Sequence, residues 1–157
     1  MNKSRNLKPE TDTSHQLDAD LEEFIGYNLK RAYVIVQDDF RSALGEEGLS
    51  PRVFSALSLV VQFPNISQSE LARTLGIERS GLVAIVDELE KRKFLVRTHV
   101  PGDRRVQALV PTPEGATVYA ESLKKVRAHE SLLLGNFSAE EKQTLIGLLK
   151  KIRQTKD

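Results

Sequence analysis

The sequence contains no cysteine, so the chain can form no disulfide and offers no thiolate to a metal or a redox reaction. Long apolar runs are missing as well. The longest apolar-rich stretch, "VFSALSLVVQF" at residues 53–63, falls well short of the about 18 residues that a membrane span requires. The first residues, "MNKSRNLKPETDTSH", are polar and contain no apolar signal segment. We therefore expect a cytosolic protein that makes no contact with a membrane.

Catalytic signatures are also absent. The three histidines, His15, His99 and His129, lie far apart in the sequence, which has no HExxH motif, no nucleophile elbow and no glycine-rich phosphate loop. No spacing of acids and histidines is typical of a metal site. The sequence thus predicts a protein that is not an enzyme and that uses neither a cofactor nor a metal.

The chain does contain a local excess of positive charge. Its net charge is only +1, yet residues 50–112 carry 9 basic and 6 acidic side chains, whereas residues 1–49 carry 6 basic and 10 acidic ones. Within the stretch "KRKFLVRTHVPGDRR" a single acid, Asp103, accompanies Lys91, Arg92, Lys93, Arg97, Arg104 and Arg105. A modest local excess in a nearly neutral chain favours a specific contact with a polyanion.

The first half of the chain is predicted to be helical after a flexible start. Residues 1–16 lack hydrophobic periodicity and are expected to form a disordered arm. From Leu17 to Ala43, apolar residues recur at steps of three, four and seven, which predicts one long amphipathic helix that ends near "LGEEG". Ser50 and Pro51 then have the residue types of a helix cap and a first helical position, so a second helix should begin there.

The next segments have the pattern of a helix-turn-helix followed by a hairpin. "SQSELARTLG" opens with a capping box, Ser67 with Glu70, and stops at Gly76 after about two turns. "IERSGLVAIVDELEKRKF" follows with apolar residues at helical spacing. "FLVRTHV" and "VQALVP" then have strand character on either side of the turn-forming triplet Pro101-Gly102-Asp103. Helix, turn, helix and hairpin together predict a winged helix.

Two further helices are predicted in the last 45 residues. One is opened by Thr112 and Pro113, the other by a second capping box of Ser138 with Glu141. The last helix is expected to bury its apolar residues, namely Leu145, Leu148, Leu149 and Ile152.

The fold class that follows is mainly α with a small β-hairpin wing. We expect a single domain over residues 17–157, in which residues 50–112 form a winged helix-turn-helix lobe and residues 17–49 and 113–157 form additional helices. Because the lobe is already a closed small core, the apolar stripes of the additional helices need another partner. The economical partner is the same helices of a second subunit, which predicts a homodimer.

The quoted motifs resemble those of the multiple-antibiotic-resistance regulator (MarR) family of bacterial transcription factors, over about residues 17–155. The segment "SQSELARTLGIERSGLVAIVDELEKRKFLVR" is similar to the DNA-reading helices of the family. The segment "DRRVQALVPTPEG" is similar to the wing signature D-x-R-x-x-x-x-x-L-T, on which Asp103, Arg105 and Thr112 fall, while Pro111 replaces the leucine. The resemblance implies a homodimeric regulator of transcription, most simply a repressor, which binds a pseudo-palindromic operator in double-stranded DNA. It also implies that a small-molecule effector binds at the junction of the dimer helices and the DNA-binding lobe.

On this interpretation two surfaces are expected to contact DNA. The wing is expected to place an arginine in the minor groove, with Asp103 orienting it. The second surface is the helix that follows the turn. Its Val83 and Ala84 can contact thymine methyl groups, whereas Ser80 can bond bases or phosphate. The full set of candidate DNA-binding residues is Arg52, Gln68, Ser69, Arg79, Ser80, Gly81, Val83, Ala84, Asp103, Arg104 and Arg105.

Each of these candidates has a plainer interpretation. A wing arginine could be half of a solvated surface ion pair, and Arg52, Gln68 and Ser69 could be ordinary surface. The apolar Val83 also leaves open a winged helix that serves as a protein-interaction module without specific DNA binding.

The effector site is assigned to two residues of the first helix. Tyr27 and Arg31 are spaced i and i+4, so an arginine and a phenol share one face and could bind an aromatic carboxylate. The alternative is that Arg31 belongs to an ordinary surface ion pair.

Overall fold

A computed structural model describes residues 19–46, 48–100 and 102–154. The disordered arm expected at residues 1–16 lies outside this part of the chain. The elements in chain order are α1 (Ala19–Glu22), α2 (Ile25–Leu44), α3 (Pro51–Gln62), β1 (Ile66–Ser67), α4 (Gln68–Leu75), α5 (Arg79–Lys91), β2 (Leu95–Val100), β3 (Asp103–Pro111), α6 (Pro113–Leu133) and α7 (Ala139–Arg153). The chain divides within α2 into two compact units, Met1–Ile35 and Val36–Asp157.

The single long helix expected from Leu17 is wrong, because the segment is broken between α1 and α2. The Phe24 N–H donates to the Leu21 carbonyl oxygen at 3.0 Å, a tighter turn than the α-helical one. The side-chain amide of Asn28 donates to the carbonyl oxygens of Glu22 (2.6 Å) and Phe24 (3.0 Å). An asparagine side chain that bonds nearby backbone in this way competes with a regular helix. The expected end is confirmed, since α2 ends at Leu44.

The predicted winged-helix lobe is confirmed, with its core between α3, α4, α5 and the sheet. Its largest fully buried side chains come from all of these elements: Leu57, Leu71, Leu82, Leu89, Leu95, Leu109, Val60 and Val86. Burying a leucine fully is worth about 1.5–3 kcal/mol, so this cluster holds the elements of the lobe together.

The sheet has three strands rather than the two of the expected hairpin. The short β1 pairs antiparallel with β3, Ile66 opposite Leu109 and Ser67 opposite Ala108, which gives the order β1-β3-β2. A two-residue strand carries no detectable alternation in the sequence, so only its pairing with β3 identifies it.

The expected helix-turn-helix is present, with both of its predicted end signals. The Ser67 hydroxyl accepts from the Glu70 N–H at 3.2 Å, and the Glu70 carboxylate accepts from the Ser67 N–H at 3.0 Å. The Ser67 hydroxyl also donates to the Glu70 carboxylate at 2.7 Å, and this bond together with the one from the Ser67 N–H holds the pKa of Glu70 below its usual range. Gly76 ends α4 at φ +63°, a conformation that favours glycine.

The wing hairpin is tighter and less regular than its sequence suggests. Val100 lies opposite Asp103, so Asp103 already belongs to β3 rather than to the turn. The preceding pair is His99 opposite Gln107, and the register therefore shifts there. Residues 104–106 lie opposite no residue of β2, so β3 bulges at the two arginines.

The junction between β3 and α6 is fixed by the expected cap residue. The Thr112 hydroxyl accepts from the Gly115 N–H at 2.9 Å and donates to the Lys93 carbonyl oxygen at 2.7 Å. The Thr112 N–H donates to the Phe94 carbonyl oxygen at 3.0 Å, and Pro111 lies in register opposite Leu95. The replacement of leucine by proline in the wing signature is therefore compatible with strand pairing at the end of β3.

The last helix, α7, begins at the predicted capping box of Ser138 and Glu141. The expectation that it buries its apolar residues is wrong for the single chain. Leu145, Leu148, Leu149 and Ile152 are all exposed, and Leu148 keeps 55% of its surface accessible. These side chains therefore remain accessible among the described residues. Among those residues there is also no helix both long and apolar enough to cross a membrane.

We predict that Gly115→Ala destabilises the fold by about 1–3 kcal/mol, as overpacking in a tight core does. Gly115 is buried in the first turn of α6, and a Cβ atom there would lie 1.9 Å from the Phe94 carbonyl oxygen. Since that oxygen belongs to the backbone just before β2, either α6 or that segment must shift. Thermal unfolding of the purified protein measures the effect.

Gly81→Ala is the matched control for this substitution. Gly81 is likewise the third residue of its helix, α5, but a Cβ atom there would meet nothing within 4 Å. Alanine should therefore stabilise α5 by about 0.5–1 kcal/mol. If both variants shift the melting temperature in the same direction, the close approach of α6 to Phe94 is not a constraint.

Candidate DNA-binding surface

Helix α5 has one buried and one exposed face. Its apolar residues Leu82, Ile85, Val86 and Leu89 are buried in the core. The sequence-predicted residues on the helix are exposed: Arg79, Ser80, Gly81, Val83 and Ala84. Because Ser80, Ala84, Asp87 and Lys91 follow one another at steps of four, three and four, they form one stripe along the exposed face.

The chemistry of this face is mixed. Val83 leaves 39% of its surface accessible, which is enough for apolar contact with a thymine methyl group. Ser80, four residues before Ala84, adds a hydroxyl group to the same exposed stripe. Arg79 at the first position of α5 adds a positive charge where the helix N-terminus already favours anions.

The wing presents two exposed arginines at the start of β3. One carboxylate oxygen of Asp103 accepts from the Arg105 backbone N–H at 2.9 Å. Asp103 therefore orients the backbone of Arg105 rather than its guanidinium group. In the part of the chain that the structure describes, no carboxylate lies within 4 Å of the guanidinium of Arg104 or Arg105. Both cations remain accessible to a ligand.

The three other candidate contacts lie at the starts of α3 and α4. Gln68 is half-buried, and its side-chain amide donates to the side-chain oxygen of Gln107 on β3 at 3.0 Å. The structure therefore brings α4 and the wing strand together through Gln68. Ser69 and Arg52 are exposed at the second positions of α4 and α3.

A count of charges in the sequence does not reveal that some cations of the basic stretch at residues 91–105 are paired with acids. Arg97 on β2 bonds both Asp87 and Glu90 of α5. Arg92 lies 3.5 Å from Glu88. The sequence contains all five of these charged residues. The pairing of Arg97 with Asp87 and Glu90 becomes visible only in the fold, where β2 lies beside α5.

The two predicted effector residues contact each other. The Arg31 guanidinium donates to the Tyr27 hydroxyl at 2.7 Å, and its carbon lies 5.6 Å from the centre of the Tyr27 ring. The spacing i, i+4 thus places them on one face, as predicted. An arginine that already bonds a phenol would have to exchange that bond for one to a ligand.

A separate cavity of about 260 Å³ lies within the larger unit. Its walls come from the end of α2 and its following loop, the α5–β2 connection and α6, and they consist of Leu44, Gly48, Leu49, Arg92, Phe94, Val118, Glu121, Ser122 and Lys125. The charged residues of its lining are Arg92, Glu121 and Lys125, and the Arg92 guanidinium lies 4.9 Å from the centre of the Phe94 ring. Among the described residues, no three acids or histidines are grouped so that they could hold a metal ion.

Comparison with known proteins agrees with this geometry. The model of the MarR family matches residues 47–106. A protein of Thauera aromatica, named for transcriptional regulation of the hcr operon, is 30% identical over 153 residues, which are 97% of this chain and 92% of that protein.

Two solved structures extend the comparison to ligands. The transcriptional repressor CouR, bound to a 23-mer DNA duplex, is similar with a TM-score of 0.82 and 37% identity over 87% of this chain and 96% of CouR. CouR from Rhodococcus jostii RHA1, bound to p-coumaroyl-CoA, gives a TM-score of 0.74 and 29% identity over 86% of this chain and 92% of that one. These relatives regulate transcription and are not enzymes, which confirms the prediction drawn from the missing catalytic motifs. With an exposed helix face, a basic wing and relatives that match almost its whole length, this chain belongs to the MarR family of DNA-binding transcriptional regulators.

Proposed function

We propose that this regulator is a homodimeric repressor that binds a pseudo-palindromic operator and leaves it when an aromatic acyl-CoA thioester binds. The observation that carries the proposal is the exposed pair of α5 and the wing, seen in a chain that is 37% identical to a repressor bound to duplex DNA. Each α5 would lie in a major groove, and each wing along the neighbouring minor groove. The two half-sites would then be about one helical turn, ~34 Å, apart.

In this proposal α5 makes few direct contacts with base edges, so the wing contributes much of the affinity for DNA. Val83 and Ala84 offer only methyl contacts, whereas Arg105 offers a cation that no described carboxylate neutralises. The minor groove narrows over A·T-rich sequence, and its negative potential attracts arginine there. We therefore expect an operator with an A·T-rich flank on each side.

We predict that Arg105→Ala weakens operator binding by about 1–3 kcal/mol per wing without changing the melting temperature. Arg104→Ala should weaken binding less and about equally for all sequences, as expected of a phosphate contact. Asp103→Ala should act indirectly, because it removes the bond that fixes the Arg105 backbone. Affinities are measured at fixed salt on a duplex selected from a random-sequence library with the wild-type protein.

Two results would contradict the wing assignment. If Arg104→Ala weakens binding and Arg105→Ala does not, the contact belongs to the other arginine. If wild-type affinity is insensitive to salt, no phosphates are contacted, and a winged helix that binds another protein explains the surface better.

A dimer is supported by the apolar residues that one chain leaves uncovered. On α7 these are Leu145, Ile146, Leu148, Leu149 and Ile152, and on the helices before Ile35 they include Leu21, Ile25, Leu29 and Val34. Exposed apolar rows of this extent on a soluble regulator mark an interface. The two-fold symmetry of a pseudo-palindromic operator requires such a dimer.

We predict that Leu148→Glu dissociates the dimer. A carboxylate at the most exposed α7 leucine would be buried without a partner in the interface, which costs several kcal/mol. Gln143→Glu adds the same charge at an exposed polar position of α7 and should leave the dimer intact. Sedimentation at micromolar concentration measures both variants, and a monomeric wild-type protein would overturn the dimer.

The ligand class rests on the relative that binds p-coumaroyl-CoA and on the cavity of this chain that Arg92, Glu121 and Lys125 line. A coenzyme A thioester combines several phosphate charges with an apolar acyl group. The cavity offers Lys125 for an anionic group and Phe94 and Val118 for apolar ones, whereas its other cation, Arg92, already lies within 3.5 Å of Glu88. At about 260 Å³ it is smaller than a typical pocket for a drug-sized ligand, so it would hold only one part of the thioester.

We predict that p-coumaroyl-CoA releases the selected duplex and that free p-coumarate and free CoA do so much less. Lys125→Gln should raise the thioester concentration needed for release about tenfold, since a charge-assisted bond is worth about 1.5–3 kcal/mol. Lys124→Gln, an equal charge change at an exposed neighbouring residue outside the cavity, should not.

The Tyr27–Arg31 pair is tested in the same titration. If Arg31→Ala abolishes the response and Lys125→Gln does not, the effector binds at the helix that carries Arg31. If only the free acid releases DNA, the effector is an aromatic carboxylate rather than a thioester.

A further inference from the structure

Arg97 occupies an unexpected place in the sheet. Side chains alternate along β2, so Arg97 lies on the same side as the fully buried Leu95, two residues before it. Only 22% of its side chain is accessible, and its guanidinium bonds the carboxylates of Asp87 and Glu90. One arginine thus connects the wing to the exposed helix at two points.

The position of Asp87 on α5 gives this contact a consequence for DNA. Asp87 follows Ala84 by three residues in the exposed stripe, and 58% of its side chain is accessible. A helix in a major groove about 12 Å wide lies within one Debye length, about 8–10 Å, of phosphates on both sides. An uncompensated carboxylate in that stripe would repel them.

We infer that Arg97 is a positioning residue for DNA binding, which acts through Asp87 and Glu90 by neutralising their negative charge next to the exposed face of α5. This inference rests on the proposed function, because it takes α5 and the wing as the DNA-binding elements. Glu88, the remaining acid in this half of α5, is partnered by Arg92 at 3.5 Å. All three acids of the second half of the helix therefore have an arginine nearby, and the exposed stripe can approach a polyanion.

Neutralisation of the carboxylates by Arg97 and a direct contact of Arg97 with phosphate can be told apart by the change that restores DNA binding. If Arg97 acts by neutralising the two carboxylates, removing those carboxylates makes Arg97 dispensable. If Arg97 instead contacts phosphate, its loss cannot be compensated by neutralising Asp87 and Glu90.

The experiment compares operator affinities of Arg97→Met, of the double variant Asp87→Asn with Glu90→Gln, and of the triple variant that combines them. Arg97→Met keeps a long side chain and removes the charge. We expect it to weaken binding about tenfold, a deficit that shrinks as salt rises because screening reduces the repulsion. The triple variant should return to within about threefold of wild type. Arg97→Lys, which keeps the charge but cannot fork between two carboxylates, should be intermediate.

The controls separate this role from folding and from net charge. Arg127→Met removes the same charge at an exposed position of α6 and should bind DNA like wild type. Circular dichroism and thermal melting check that each variant is folded at the assay temperature. The double variant removes little packing, and it must bind at least as tightly as wild type even if Arg97→Met fails to fold. Weaker binding of the double variant would mean that a carboxylate itself reads the DNA, which overturns the inference.

The remaining outcomes are distinct. Unchanged affinity of Arg97→Met, or a loss that the triple variant does not recover, overturns the role of Arg97 and leaves the proposed function in place if Arg105→Ala still weakens binding. A wild-type protein that binds no duplex selected from the library overturns both.

Discussion

The middle strand of the sheet, β3, is the element on which the arrangement of the lobe depends. Leu109 and Ala108 pair with β1 on one side and with β2 on the other, and both are fully buried. The strand carries the two wing arginines at its start and continues directly into the cap of α6 at its end. Because β1 supplies the Ser67 cap of α4, the same pairing also fixes where the helix-turn-helix begins.

Much of this fold is predictable from short segments. Capping boxes at Ser67 and Ser138 and the left-handed Gly76 are decided within a few residues, so the sequence locates the helix ends correctly. Hydrophobic periodicity does not detect the break between α1 and α2, at which the side-chain amide of Asn28 bonds the backbone of Glu22 and Phe24. The sequence does not predict strand β1, because this two-residue strand is defined only by its pairing with β3.

The site shows the same division between local and distant effects. The exposure of Ser80, Val83 and Ala84 follows from helical periodicity, since the buried leucines define the other face. The bulge at residues 104–106 and the pairing of Arg97 with Asp87 join residues on different elements. A charge count treats Arg97 and Arg105 alike, whereas in the structure one is neutralised by acids and the other is available to a ligand.

The connection between β3 and α6 has a mechanical consequence. A single residue, Thr112, separates Pro111 from Pro113, and both proline rings fix the backbone φ near −65°. Three hydrogen bonds of Thr112 tie this junction to Lys93, Phe94 and Gly115. The backbone between β3 and α6 therefore has little conformational freedom, so the end of the strand fixes the direction in which α6 leaves the sheet.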